Sequence, residues 1–232
     1  LSVRDESPTL DGPNVFRLLI AGDSITRHGV NDDIKARLGW DYVAGMAASE
    51  ESKDFVHLFA ERIRAALPDR QVKLYVEGFG DSNISGTADI EEKVGPIRAR
   101  RPHLLVIQTG EHEADPFRIE VFREKYEAIL AAILGLDPRP ILLCSGPWEP
   151  VARGVSQYTD GTKAGQMENA MREICRKYGI PFASVREYAD DPACCGCGRH
   201  PGVRWHPNDQ GHAGYAEKLW AAYLETMEKE KQ

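Results

Sequence analysis

The sequence lacks any apolar run long enough to cross a bilayer. Its longest, FRLLIAG (16–22) and ILLCSG (141–146), have the length of strands and fall far short of the roughly 20 residues that a spanning helix needs. It also lacks a cationic excess. Lys and Arg number 29 against 36 Asp and Glu, and the resulting charge of −7 is dispersed without a basic stripe, which argues against nucleic acid and membrane surfaces as partners. Nucleotide signatures are missing: there is no Walker A motif, and GFGDSN (78–83) lacks the third glycine of the dinucleotide fingerprint. EHEAD (111–115) is not the zinc-binding HExxH, and GDSIT (22–26) breaks the GxSxG elbow at Thr26. The chain begins LSVRDESP, with neither Met nor a charged-then-apolar leader, so the compartment stays open between the cytoplasm and secretion after leader removal.

Cysteine is scarce and odd in number, five in all, which does not suit a paired disulfide framework. Cys144 and Cys175 lie in strand-like and helix-like runs and read as small buried hydrophobes. Cys194, Cys195, Cys197 and His200 cluster within CCGCGRH. Structural zinc sites pair two separated knuckles and there is no second one, so the cluster reads as free thiols or a local disulfide, with no metal expected.

What is present is an ordinary globular composition, 42% hydrophobic and 28% charged over 232 residues, enough for one domain spanning 1–232 with an N-terminal extension at 1–14. Apolar runs at 15–22, 72–77, 103–109, 139–145 and 180–185 read as strands. Segments of helical period alternate with them at 53–67, 89–100, 122–134, 162–178 and 209–230; in the first, Phe55, Leu58, Phe59, Ile63 and Leu67 share a face. This alternation predicts a doubly wound, three-layer α/β/α sandwich on a five-stranded parallel sheet, with ligands bound beyond the carboxyl ends of the strands. Two long segments interrupt it, 27–50 and 146–161. They carry Trp40, Tyr42, Trp148 and Tyr158 and read as substrate-loop insertions walling a cleft, the alternative being that the rings anchor the loops.

Chemistry-bearing residues fall at the strand ends. Ser24 follows the first strand at a helix-like start, where backbone N–H groups converge; it serves there as an oxyanion-side nucleophile or as a helix cap. EGFGDSNISGTAD follows the second strand, TGEHEAD the third, and WHPNDQGH precedes the last helical stretch. A serine, a glycine-rich turn, a polar ring and a histidine on four loops of one sheet edge are the parts of an acyl-transfer site.

GDSIT (22–26), NISGT (83–87), TGEHE (109–113) and HPNDQGH (206–212) resemble, in order, the four sequence blocks of the SGNH, or GDSL-like, hydrolases. The resemblance implies a flavodoxin-like fold and an esterase or deacylase without a cofactor. Ser24 would be the nucleophile, His206 its general base, and the N–H groups of Ser24 and Gly86 the oxyanion donors, with Gly80 a lesser alternative. Two positions depart from the family pattern. His112 stands where an asparagine donor is usual; it either supplies an N–H in its place or is a loop residue held by its own hydrogen bonds. Val203 stands where an aspartate usually orients the histidine. A backbone carbonyl or water would then orient His206, or a carboxylate from Asp190 or Asp191, or Asp209, although PND suits a helix cap.

Asp23, Trp40, Trp148 and Trp205 are the expected substrate-binding residues, and flat rings around a polar cleft suit sugars. Removal of acetyl or other small acyl groups from a carbohydrate is therefore the expected activity, on a small-molecule or saccharide ester, with oligomeric state open. The alternatives are a catalytically degenerate carbohydrate-binding module and an acyltransferase using the same Ser–His pair.

Overall fold

In the computed structural model, residues 11–79, 83–196 and 199–229 are described. The first strand, β1 (Val15–Gly22), is buried at every position but Arg17, a pattern only an interior strand tolerates. β1 lies between β2 (Gln71–Gly78) and β3 (Leu104–Ile107), and β4 (Ile141–Ser145) and β5 (Phe182–Ala183) continue the sheet in the order β2-β1-β3-β4-β5, all parallel. The order reverses between β1 and β3, the place where a doubly wound sheet opens a crevice.

Alternation along β1 divides the core. Phe16, Leu18 and Ile20 pack with Phe55, Phe59 and Ile63 of α2 (Phe55–Ala66) and with Tyr215 and Leu219 of α8 (Asp209–Lys229). Leu19 and Ala21 face the opposite layer, built from α3 (Glu91–Arg100), α4 (Ile119–Leu134) and α5 (Lys163–Lys177). The expected α/β/α sandwich with five parallel strands is thus what the chain forms. Cys144 and Cys175 are fully buried in the second layer beside Tyr126. No helix among the described residues is long and apolar enough to cross a membrane.

The fifth strand is shorter than its sequence run of 180–185. It is an edge strand preceded by Pro181, and it serves β4 as an acceptor, taking the Cys144 and Gly146 N–H groups on the carbonyls of Pro181 and Ala183. Three short helices stand in stretches without a clear period: α1 (Asp32–Leu38), α6 (Arg186–Ala189) and α7 (Pro201–Trp205). Each is too short to show a helical repeat in sequence; α7 is started by the His200 side chain, whose Nδ1 accepts the Gly202 N–H at 3.0 Å.

Candidate active site

The turn after β1 is shaped by what cannot fit there. A Cβ on Gly22 would stand 2.1 Å from Thr26 Oγ1 and 2.7 Å from Gln108 Oε1. Gln108, fully buried just beyond β3, accepts the Asp23 N–H at 3.3 Å and the Thr26 hydroxyl at 2.9 Å, so the neighbouring strand braces the turn from behind. Thr26 and Arg27 close it by donating their N–H groups to the Asp23 carbonyl. Gly22→Ala is therefore expected to cost roughly 1–3 kcal/mol, read as a lower midpoint in urea unfolding; an unchanged midpoint would show that Gln108 does not hold the turn.

Ser24, raised on this turn, donates its hydroxyl hydrogen to His206 Nε2 at 2.7 Å, across 182 residues of sequence. The ring's other nitrogen, Nδ1, donates to the Gly202 carbonyl at 2.6 Å. That carbonyl lies four residues back in α7, and His206 ends the helix with its own N–H on the Val203 carbonyl. The helix thus turns a free C-terminal carbonyl into the acceptor that selects the Nδ1–H tautomer and leaves Nε2 able to take a proton. Burial pushes the ring down from 6.5 to about 4, against the Gly202 hydrogen bond, which acts upward.

Val203 is buried in an apolar cluster with Trp40, Ala44, Met46 and Ala47, so the place of the usual acid is spent on packing α7 against the 40–47 segment. None of the three expected carboxylates turns to His206. Asp190 binds Ser156 Oγ at 2.8 Å and lies near Arg186; Asp191 caps Ala193 at 2.9 Å and accepts from the Cys194 thiol. Asp209 holds the Ser49 N–H and hydroxyl at 2.6 and 2.7 Å, and the cap of α8 is Asn208, which takes the Gln210 and Gly211 N–H groups. His212 is buried between the Phe55 N–H and the Met46 carbonyl.

The cysteine-rich stretch packs directly behind the histidine. The Gly196 N–H donates to the His206 carbonyl at 2.5 Å, and a Cβ at Gly196 would stand 2.5 Å from the Val203 carbonyl. Cys197 lies outside the described residues, as does Gly80. Among the described residues no group of three or more His, Cys, Asp or Glu is placed to hold a metal ion.

A shallow cleft of about 410 Å³ opens over Ser24, with Asp23, Arg27, His28, Gly78 and His112 among its lining. His112 is exposed there and makes no hydrogen bond among the described residues, which disfavours its being fixed in the loop by its own bonds. Gly86 differs from the expectation. Its N–H donates to Asn83 Oδ1 at 3.0 Å, inside an Asx-type turn, and it meets an oxyanion only by exchanging that bond. Glu113, one residue beyond His112, fastens this turn by accepting the Ile84 and Ser85 N–H groups. Neither Glu113 nor Gln108 carried a signal in sequence, since each acts on another segment, through backbone N–H groups and, for Gln108, also the Thr26 hydroxyl.

The tryptophans fall differently from the expectation. Trp40 and Trp148 are 3% and 0% exposed, so neither ring offers a face to a substrate. Trp148 instead donates its indole N–H to the Trp205 carbonyl at 2.7 Å and Tyr158 is buried with its hydroxyl on the Pro147 carbonyl, so both anchor the 146–161 segment. Trp205 alone of the three is half-buried beside the site, its ring 5.1 Å from that of His206 and its Nε1–H on Glu149 at 3.2 Å.

The fold has known counterparts. A two-domain esterase active on acetylated mannans aligns over 91% of this chain and 49% of its own at 20% identity and a TM-score of 0.60, so the chain spans about half of that protein. The acetyl xylan esterase AlAXEase aligns over 89% and 99% of the two chains at 17% identity and a TM-score of 0.58. Axe2, an acetylxylan esterase from Geobacillus stearothermophilus, aligns over 89% and 93% at 18% identity and a TM-score of 0.59. Curated protein sequences give no match. The sequence model of the GDSL-like lipase/acylhydrolase family, however, matches residues 20–213, from the end of β1 into α8, and the chain belongs to that family.

Proposed function

We propose that the protein is a serine deacylase that removes acetyl or other small acyl groups, from a carbohydrate, through an acyl-enzyme on Ser24 with His206 as general base. The observation that carries this reading is the 2.7 Å contact of Ser24 Oγ with His206 Nε2, on a ring whose Nδ1–H is already engaged. His206 takes the hydroxyl proton as Oγ attacks the ester carbonyl, then returns it to the departing alcohol; water repeats the cycle in reverse. The Ser24 N–H has no partner among the described residues and His112 stands across the cleft, which suits them as oxyanion donors.

The cleft supports a short acyl group, because the side chains around Ser24 are polar, glycine or imidazole and offer a long hydrocarbon nothing to bury against. A saccharide leaving group is supported by Trp205 beside His206 and by what the structural counterparts act on. The test is hydrolysis of p-nitrophenyl acetate, release of acetate from acetylated xylo- and manno-oligosaccharides, and labelling of Ser24 by a fluorophosphonate. Wild-type protein that neither turns over nor labels defeats the reading.

The low basicity of His206 predicts the acid side of the profile. A base held neutral to about 4 keeps kcat/KM level from neutrality down to roughly pH 5, whereas an ordinary imidazole would already be failing. Because the folded value lies below the 6.5 of a free ring, the unfolded chain binds the extra proton first; the group subtracts stability as pH falls from about 6.5 toward about 4 and is without effect above that window. A kcat/KM profile with its acid limb near 6.5 contradicts the burial argument.

A further inference from the structure

Behind Ser24 lies a buried carboxyl that the Ser–His chemistry does not use. Glu111 follows Gly110 beyond the end of β3; its Oε1 accepts the Trp148 N–H at 2.8 Å, and its Oε2 is buried without a hydrogen-bond partner among the described residues. Trp148 carries this contact onward, since its indole N–H holds the Trp205 carbonyl at 2.7 Å, in the peptide directly before His206. On its other side Glu111 feels the charge of Asp23, the residue before Ser24. One carboxyl group therefore stands against both segments that carry the Ser–His pair.

We propose that Glu111 is a positioning residue that works in its protonated form: neutral, it holds Trp148 and so the Trp205–His206 peptide in register with Ser24, and ionised, it repels Asp23 and separates the pair. The proposal rests on the Ser24–His206 deacylase reading. The surroundings favour the neutral form. Asp23 faces Glu111 from the nucleophile turn and Gln108 from the end of β3, with Tyr158 from the 146–161 segment and Tyr215 from α8; none of these is a cation. Burial first and Asp23 second push the carboxyl up from 4.5 to about 8, outweighing the Trp148 N–H and the Gln108 amide, which favour the anion. The Tyr215 ring also lies tilted against Trp148, ring centres 5.9 Å apart, on the α8 side.

The experiment compares pH profiles of kcat and KM for p-nitrophenyl acetate in wild type, Glu111→Gln, Glu111→Ala and Trp148→Phe. Wild type is expected to lose kcat on the alkaline side with a midpoint near 8, while KM stays level. Glu111→Gln, neutral at every pH and the same shape, keeps at least half of the neutral-pH kcat and holds it beyond pH ~9. Glu111→Ala drops kcat about tenfold or more at all pH values. Trp148→Phe keeps the backbone N–H that Glu111 accepts but removes the indole N–H together with part of the ring's buried volume, so kcat falls while the alkaline midpoint stays that of wild type.

Stability supplies a second readout. The folded carboxyl binds its proton more tightly than the unfolded one, so wild type loses stability relative to Glu111→Gln as pH rises from 4.5 to about 8, and the two run parallel below 4.5. An alkaline limb that persists in Glu111→Gln, or a wild type without one, overturns the proposal. If Glu111→Gln does not fold, the wild-type limb and the Trp148→Phe profile decide. Absence of turnover in wild type at every pH instead defeats the deacylase reading itself.

Discussion

Ser24→Ala is expected to lower kcat for p-nitrophenyl acetate by about 10⁴-fold or more, and His206→Ala to do the same. Oγ is the atom that bonds to the acyl carbon, and without Nε2 at 2.7 Å it stays a weakly nucleophilic alcohol. The two groups act as one unit, because removing the base leaves the nucleophile unactivated and removing the nucleophile leaves the base with no proton to take. The double variant should therefore be no worse than either single one. KM should change little in all three, since neither side chain has to contribute to binding the ground-state ester. For Ser24→Ala, circular dichroism and thermal unfolding should match wild type, because Ser24 lies in a turn held by Gly22, Asp23 and Gln108. A Ser24→Ala protein that keeps about a tenth of wild-type turnover, or multiplicative losses in the double variant, would place the chemistry elsewhere.

Val203→Asp is the second large effect, and it sets the family pattern against the structure. If a carboxylate three residues before the histidine were simply missing, restoring it should raise turnover. The geometry says otherwise: His206 Nδ1 is already bonded to the Gly202 carbonyl at 2.6 Å, and the Val203 side chain points into the cluster of Trp40, Met46 and Ala47. A carboxylate there is buried among apolar groups without a partner. The expected cost is about 3 kcal/mol or more, or a midpoint lower by roughly 6–12 °C for a chain of this size. Turnover should fall too, because α7 must shift to relieve the charge and Gly202 shifts with it. Val203→Ala is the control, losing packing alone at about 1–2 kcal/mol with kcat close to wild type. A Val203→Asp protein with wild-type stability and higher kcat would show that the carboxylate reached the ring after all.

The sheet and its five main helices were legible because each carries a long local pattern. The run 15–22 matches β1 residue for residue, and the faces of α2, α4, α5 and α8 repeat over several turns, so burial on one side leaves a period in the sequence. α7 left none. At five residues it is little more than one turn, and it begins only because His200 and Pro201 start it. Yet α7 supplies the carbonyl that answers for the missing acid. A backbone acceptor has no residue identity, so no letter at position 202 could have announced it.

The aromatic residues show the same limit from the other side. Trp40, Trp148 and Trp205 look alike in sequence, each on an irregular segment near a strand end. Trp40 packs on Val203, Trp148 becomes a strut between Glu111 and Trp205, and only Trp205 keeps a partly open face beside His206. Which of the three is a wall and which an anchor depends on what the opposite loop presents, and that is settled by packing.

Local sequence thus carried the fold class, the order of the strands' chemistry and the identity of the Ser24–His206 pair, because periodic burial and short motifs are properties of neighbouring residues. Tertiary structure decided the partner of His206 Nδ1, the engagement of the Gly86 amide by Asn83, and the placing of Glu111 against Trp148 behind the site. Each of these joins segments far apart in sequence through backbone atoms or through burial. Such contacts come into being only when the chain has closed around them.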